Sequence, residues 1–217
     1  MKEKAIIIGA GTYGQVYAEY LKEDYKILGF VDDDLKLKDK VINGYKILGN
    51  IEWLFNNCER TINVFVPIGN NKIRVSLLTK LEQQGFNIPS YIHPTVNMHN
   101  SVKVGKAVYV LPACNFMPLS IIEDYVMISM GVNVAHHTIL GKGSFYSQGN
   151  NVGASINIKE NAYSGIGVTI MTGVKEIGAN SLLGASAVII RDVPDYAVVV
   201  GNPGKIIKYT NLIEQIG

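Results

Sequence analysis

Residues 92–170, set out in blocks of six, read IHPTVN MHNSVK VGKAVY VLPACN FMPLSI IEDYVM ISMGVN VAHHTI LGKGSF YSQGNN VGASIN IKENAY SGIGVT I. The first position of each block is Ile92, Met98, Val104, Val110, Phe116, Ile122, Ile128, Val134, Leu140, Tyr146, Val152, Ile158, Ser164 and Ile170, and only Ser164 departs from an apolar beat. A second series, through Val96, Val102, Val108, Cys114, Ser120, Val126, Val132, Thr138, Ser144, Asn150, Ile156, Ala162, Val168 and Val174, is apolar or small. A helical period of about 3.6 or a strand period of about 2 cannot sustain a six-residue beat over this length, whereas a solenoid of short parallel strands can. Three such units, roughly 18 residues, make one coil of a triangular prism with one side chain per unit turned to its axis. One extra residue after Ile170 shifts the phase before Ile177, Leu183 and Ile189 resume it. The count predicts between five and six coils.

Working back toward the N-terminus, the texture changes. Lys4 to Ile8, Tyr25 to Val31 and Thr61 to Pro67 read as strands, and Tyr13 to Leu21 and Asn70 to Gln84 as helices. Strands alternating with helices predict a parallel sheet, so residues 1–91 are expected to form a small α/β, Rossmann-like domain and residues 92–217 the prism with its C-terminal cap. Toward the C-terminus, Pro194, Gly201, Pro203 and Gly204 punctuate a capping tail, with a short helix expected over Lys205 to Ile216.

Composition narrows the function. The 217 residues are 47% hydrophobic and 18% charged, with a formal net charge of +2. That balance is ordinary for a packed globular protein. No stretch concentrates Lys and Arg with aromatic residues, which argues against nucleic acid as a partner. Cys58 and Cys114 lack CxxC spacing. They point to a reducing compartment and away from zinc. The apolar run Ala5 to Ile8 is too short for a signal peptide, and no stretch approaches the length of a membrane span, so a cytoplasmic protein is expected.

GAGTYG at 9–14 follows a strand and opens a helix, with Asp32, Asp33 and Asp34 about twenty residues on. Glycines permit a tight turn and a close backbone approach, and the helix N-terminus offers N–H groups to a phosphate. Packing of helix on strand is the alternative use of such a turn. Ninety residues supply only half of a two-lobed dinucleotide fold, so a mononucleotide is the better fit and a nicotinamide oxidoreductase the poorer one.

Four histidines remain: His93, His99, His136 and His137. His93 precedes a proline at the junction and reads as structural, and His99 as a solvated coil position. Val134 and Thr138 occupy the interior series and leave His136 and His137 turned away from the core. A neutral imidazole there can take a proton from an attacking amine or hydroxyl, and no Cys or G-x-S-x-G elbow competes as nucleophile. Zinc of the carbonic-anhydrase type needs three convergent histidines, and none follows His137. No metal is expected.

Taken in order, the glycine loop, GFVDDD at 29–34, PIGNNKIR at 67–74, YIHPTV at 91–96, the prism with its histidine pair, and GNPGK at 201–205 resemble the sugar-nucleotide N-acetyltransferases of bacterial glycan synthesis, such as those of the bacillosamine and perosamine pathways. The resemblance implies a left-handed parallel β-helix and a homotrimer with acetyl-CoA between neighbouring prisms. It further implies a nucleotide-linked amino sugar as acceptor and His136 as general base beside His137. Gly9, Gly11, Thr12, Tyr13, Gly69 and Asn70 would lie on the sugar-nucleotide side, Asp32 and Asp33 would read the base, and Ile166 and Gly184 would touch the pantetheine arm. Three residues differ from the family's habit: His137 stands where relatives carry Asp or Glu, and Tyr13 and Phe145 each replace a histidine. A sugar O-acetyltransferase of the sialic-acid type and a non-catalytic nucleotide-sugar-binding homologue are the alternatives.

Overall fold

A computed structural model describes residues 2–210 of the chain. The chain divides after Ser90 into two compact units. In the first, β1 (Glu3–Ile8), β2 (Tyr25–Val31), β3 (Val41–Ile42), β4 (Tyr45–Gly49) and β5 (Asn63–Phe65) form one sheet in the order β3-β4-β2-β1-β5. All neighbours run parallel except β3, which pairs antiparallel with β4. α1 (Thr12–Leu21), α2 (Ile51–Asn57) and α3 (Asn71–Gln83) make the connections. β1 is apolar and buried from Ala5 to Ile8, as a central parallel strand should be. Because β1 sits between β2 and β5, the strand order reverses beside it, and the glycine loop leaves its carboxyl end at that reversal. Ligands of open α/β sheets bind at such a point.

The second unit is the prism. Its two-residue strands stack at a spacing of 18 residues into three parallel sheets, one for each side of the coil. The second residue of each pair carries the beat and points inward, where Val110, Phe116, Ile122, Ile128, Val134 and their successors form one continuous core. In the first coil Ile92 and Val104 stay exposed, since no coil precedes theirs. Ser164 is buried too, and its hydroxyl donates to Asn150 Oδ1. Asn150 in turn donates to the carbonyls of Ser147 (2.9 Å) and Gly165 (2.7 Å), so the one break in the beat is part of a satisfied polar cluster inside the prism. The phase shift is taken up by the turn between Met171 and Lys175, where Gly173 adopts φ +107°. Beyond it Asn157 pairs with Glu176, at 19 residues rather than 18.

The outward residues give each face a character. One face stacks Asn97, Asn115, Asn133 and Asn151 at one per coil, their side-chain amides hydrogen-bonded in sequence at 3.3, 2.9 and 3.0 Å. A second stacks Tyr91, Tyr109, Met127, Phe145 and Tyr163, with Phe145 and Tyr163 parallel at 5.1 Å. The third carries Lys103, Ile121, Ile139, Asn157 and Glu176.

The tail corrects one expectation. Lys205–Tyr209 is a strand, not the start of a helix, and it pairs antiparallel with Ala197–Val200, which adds a parallel rung beside Leu182–Leu183. The local alternation is short enough for either structure, and the hairpin pairing decides it. Lys205 and Lys208 on this outer strand discourage further edge pairing. The rest of the expected helix lies outside the described residues. Among the described residues, no helix is long and apolar enough to cross a membrane.

Candidate active site

The first cluster forms around the glycine loop. Gly9 has φ +92°, and a Cβ on Gly14 would lie 1.8 Å from the Gly9 carbonyl oxygen, so the turn from β1 into α1 closes only with glycine at both positions. Gly11 at the N-cap of α1 has no side chain with which to cap the helix. Asp32, at the end of β2, clamps the loop from the side: Oδ2 accepts from the Ala10 N–H at 2.8 Å and Oδ1 from the Asp34 N–H at 2.9 Å. Gly9, Gly11, Thr12, Tyr13, Asp32 and Gly69 line one cavity of about 310 Å³. Asp33 and Asn70 stand apart from that lining. Asp33 accepts from the first N–H of α2, at Ile51 (2.9 Å), and Asn70 caps α3 through the Ile73 N–H (3.1 Å).

A second cavity of about 320 Å³ shares Asp32 and adds Leu35, Lys38, Asn50 and Trp53. Sequence reasoning missed it, along with β4 and α2, which contribute Ile47 to Gly49 and Trp53 to its wall, and the short β3. Its signal was Trp53, the only tryptophan in the chain.

The histidines separate by geometry. His93 Nδ1 accepts from the Thr95 N–H at 3.1 Å, and His99 Nδ1 accepts from the Ser101 N–H at 3.2 Å, so each closes its own turn. His136 and His137 are exposed and lie at the corner where the asparagine face turns into the third face. Their Nδ1 atoms are 3.0 Å apart, with the rings perpendicular. The corner is held by its neighbours in the stack: the His137 N–H donates to Pro118 O (3.3 Å) and the His136 carbonyl accepts from the Ser155 N–H (3.0 Å).

Ile166 and Gly184 occupy a different corner, between the aromatic and asparagine faces, on successive coils. Ile166 is 58% exposed. A single chain does not bring them to His136, since the asparagine face lies between the two corners. That face carries a shallow groove of about 500 Å³ along Asn115, Asn133, Asn151, Met117 and Met171. The asparagine ladder was visible in the sequence as an 18-residue repeat and went unread. Phe145 is not at a corner; it is buried on the aromatic face.

Neither cysteine offers a thiolate. Burial pushes both the Cys58 and Cys114 thiols up from their ordinary value, and Cys114 donates to the Ser129 carbonyl inside the prism. Among the described residues, no group of three or more His, Cys, Asp or Glu side chains is placed to hold a metal ion.

Comparison with known proteins covers both units. Residues 4–81 match the PglD N-terminal domain family. The structure of PerB from Caulobacter crescentus, in complex with CoA and GDP-perosamine, superposes with a TM-score of 0.87 at 30% identity, over 94% of this chain and 97% of that one. The acetyltransferase domain of PglB from Neisseria gonorrhoeae, in complex with acetyl coenzyme A, gives a TM-score of 0.88 at 28% identity, over 95% and 100%. The GDP-perosamine N-acetyltransferase of Escherichia coli O157:H7 is 27% identical over 93% of this chain and 95% of its own length. The chain also spans about half the length of several curated putative acetyltransferases, which it matches over 110 residues. The match to PerB runs through both units at 30% identity, and the chain belongs to the hexapeptide-repeat, left-handed β-helix family of sugar-nucleotide N-acetyltransferases.

Proposed function

We propose that the protein transfers the acetyl group of acetyl-CoA to the amino group of a nucleotide-linked amino deoxysugar, with His136 as general base. The observation that carries this reading is the His136 corner: an exposed imidazole whose Nδ1 is engaged by its neighbour, which leaves Nε2 for the substrate. Support for the two substrates comes from the PerB complex with CoA and GDP-perosamine and the PglB domain complex with acetyl coenzyme A.

In the reaction the sugar nitrogen attacks the thioester carbonyl directly. The C–N bond forms as the C–S bond breaks, His136 Nε2 takes the proton from nitrogen, and that proton passes to the departing thiolate. Direct attack suits a chain whose two thiols are both pushed up from their ordinary value, Cys114 inside the prism and Cys58 partly buried. The glycine loop holds the nucleotide phosphates at the N-terminus of α1, with Asp32 fixing the loop. Asp33 and Asn70 support this side through the helix caps they form. Holding two substrates in register contributes as much as the base itself.

A homotrimer is part of the proposal, because the Ile166 and Gly184 corner has to come from a neighbouring prism to meet His136. A cytoplasmic location follows from where acetyl-CoA and nucleotide sugars are made. The test is thiol release from acetyl-CoA with a panel of nucleotide-linked 4-amino sugars and their hydroxyl counterparts. Release with an amino sugar alone supports the assignment. Release with the hydroxyl counterpart would replace it by O-acetylation.

A further inference from the structure

Two like nitrogens 3.0 Å apart bond only when one carries a proton and the other a lone pair. The contact between His136 and His137 therefore admits two arrangements of neutral rings. With the proton on His136 Nδ1, His136 Nε2 has its lone pair and is a base. With the proton on His137 Nδ1, His136 Nε2 carries the hydrogen and cannot accept another. His137 thus decides whether its neighbour is in the working tautomer.

The surroundings leave this task to His137. The turns stacked directly on the corner, 117–120 and 153–156, read Met-Pro-Leu-Ser and Gly-Ala-Ser-Ile and contain no titratable side chain. Nor do Ala135 and Thr138 within the turn, or Asn133, Val134, Ile139 and Leu140 in the strands that flank it. In this column of turns the nearest titratable groups are His99 and Lys175, two coils away on either side. The contrast with the corner between the third and aromatic faces is sharp, because there Glu123 and Asp124 accept the N–H groups of Lys142 and Lys106 at 2.8 Å. The backbone also fixes the pair: His137 has φ +59°, matching Leu119 (+66°) and Ser155 (+59°) above and below it.

We propose that His137 is the positioning residue of the transfer reaction: as a neutral imidazole it accepts the Nδ1–H of His136, sets the tautomer of the base, and does so without the negative charge a carboxylate would bring. The inference rests on the reading of His136 given above. It has a consequence for the pH profile. A carboxylate placed beside His136 would add a negative charge that favours the imidazolium over the free base.

The test measures kcat and KM for acetyl transfer against pH in the full-length protein with four substitutions at this position. Asn tolerates positive φ and offers a neutral carbonyl acceptor, so His137→Asn should keep kcat within about threefold with the acidic limb in place. His137→Asp should move that limb upward by roughly one pH unit or more. His137→Ala should lower kcat about tenfold or more at little change in KM. His137→Gly removes the acceptor at a backbone angle that glycine favours, so it should reproduce the alanine loss in a protein that melts like the wild type. Wild-type kcat in the glycine variant, an unmoved limb in the aspartate variant, or an asparagine variant as poor as glycine would each overturn the proposal. His136→Ala run alongside separates the two readings. Full turnover there removes the base, while loss there with full turnover in His137→Gly removes only the role of His137.

Discussion

The glycine loop and the histidine corner are both tight turns at the ends of parallel strands, and they carry function in opposite ways. In the loop the proposed binding falls to the backbone. Its path needs glycine at 9 and 14, and the nearby carboxylates of Asp32 and Asp33 are engaged by N–H groups of the fold. In the prism the backbone is nearly the same at three successive levels, with positive φ at Leu119, His137 and Ser155 alike, and only the side chains distinguish the histidine turn from the two stacked on it. A solenoid corner can therefore change its chemistry by substitution without changing shape, whereas the loop cannot.

The largest effect should come from removing the side chain that makes one corner unlike the rest. His136→Ala is expected to reduce kcat on the order of 10²-fold or more, with an unchanged melting temperature, because alanine already occupies the equivalent position 154 one coil on. A steady-state assay paired with a thermal melt checks both halves. An equally active variant would make the corner as silent as its neighbours.

The opposite experiment strikes the backbone. Gly14→Ala places a Cβ against the Gly9 carbonyl, which is main chain and has little room to yield. Displacement of the loop by about an ångström should cost roughly 10²-fold in kcat/KM for the nucleotide sugar. The KM for acetyl-CoA should be spared. Equal losses for both substrates would show that the loop does not belong to one of them.

These two turns also mark what the sequence made legible. The beat fixed the prism, its phase and the outward placement of His136 and His137, because a solenoid ties each inward position to its neighbours six residues away. The extra residue near Gly173 was legible for the same reason. Val41–Ile42, Tyr45–Gly49 and Ile51–Asn57 were not, since each is short and is stabilised by pairing with distant strands or by caps from Asp33 and Asn50. Lys205–Tyr209 failed similarly, because only its antiparallel partner makes it a strand. A side chain that accepts from the backbone and one that reads a ligand look identical in sequence, which is why Asp32, Asp33 and Asn70 could be flagged but their bonds to the loop and to the helix ends could not.

Ser164 tests the beat from inside. Valine there would match the apolar pattern, yet it removes the donor to Asn150 Oδ1 in a buried site. Ser164→Val should destabilise the protein by about 1–3 kcal/mol in chemical denaturation. A stabilised variant would mean that the apolar pattern outweighs the polar cluster.

The smallest effect concerns the turn where the repeat slips. Asp192 Oδ1 accepts from the N–H groups of Lys175 (2.7 Å) and Glu176 (3.1 Å), just after the inserted residue. Those two bonds hold its carboxyl below the usual 3.8. A carboxylate with a depressed folded-state value adds stability above its unfolded value and loses it as the pH falls through the depressed one. Asp192→Asn keeps an acceptor oxygen but gives up the charge. It should lower the melting temperature slightly at neutral pH, and the gap from wild type should close as the pH drops below 3.8. Because Asp192 is exposed, salt should narrow the gap as well. A gap that persists into acid would place the contribution of Asp192 in the shape of the turn, as at the levels above and below the histidine corner, where shape is shared and side chains differ.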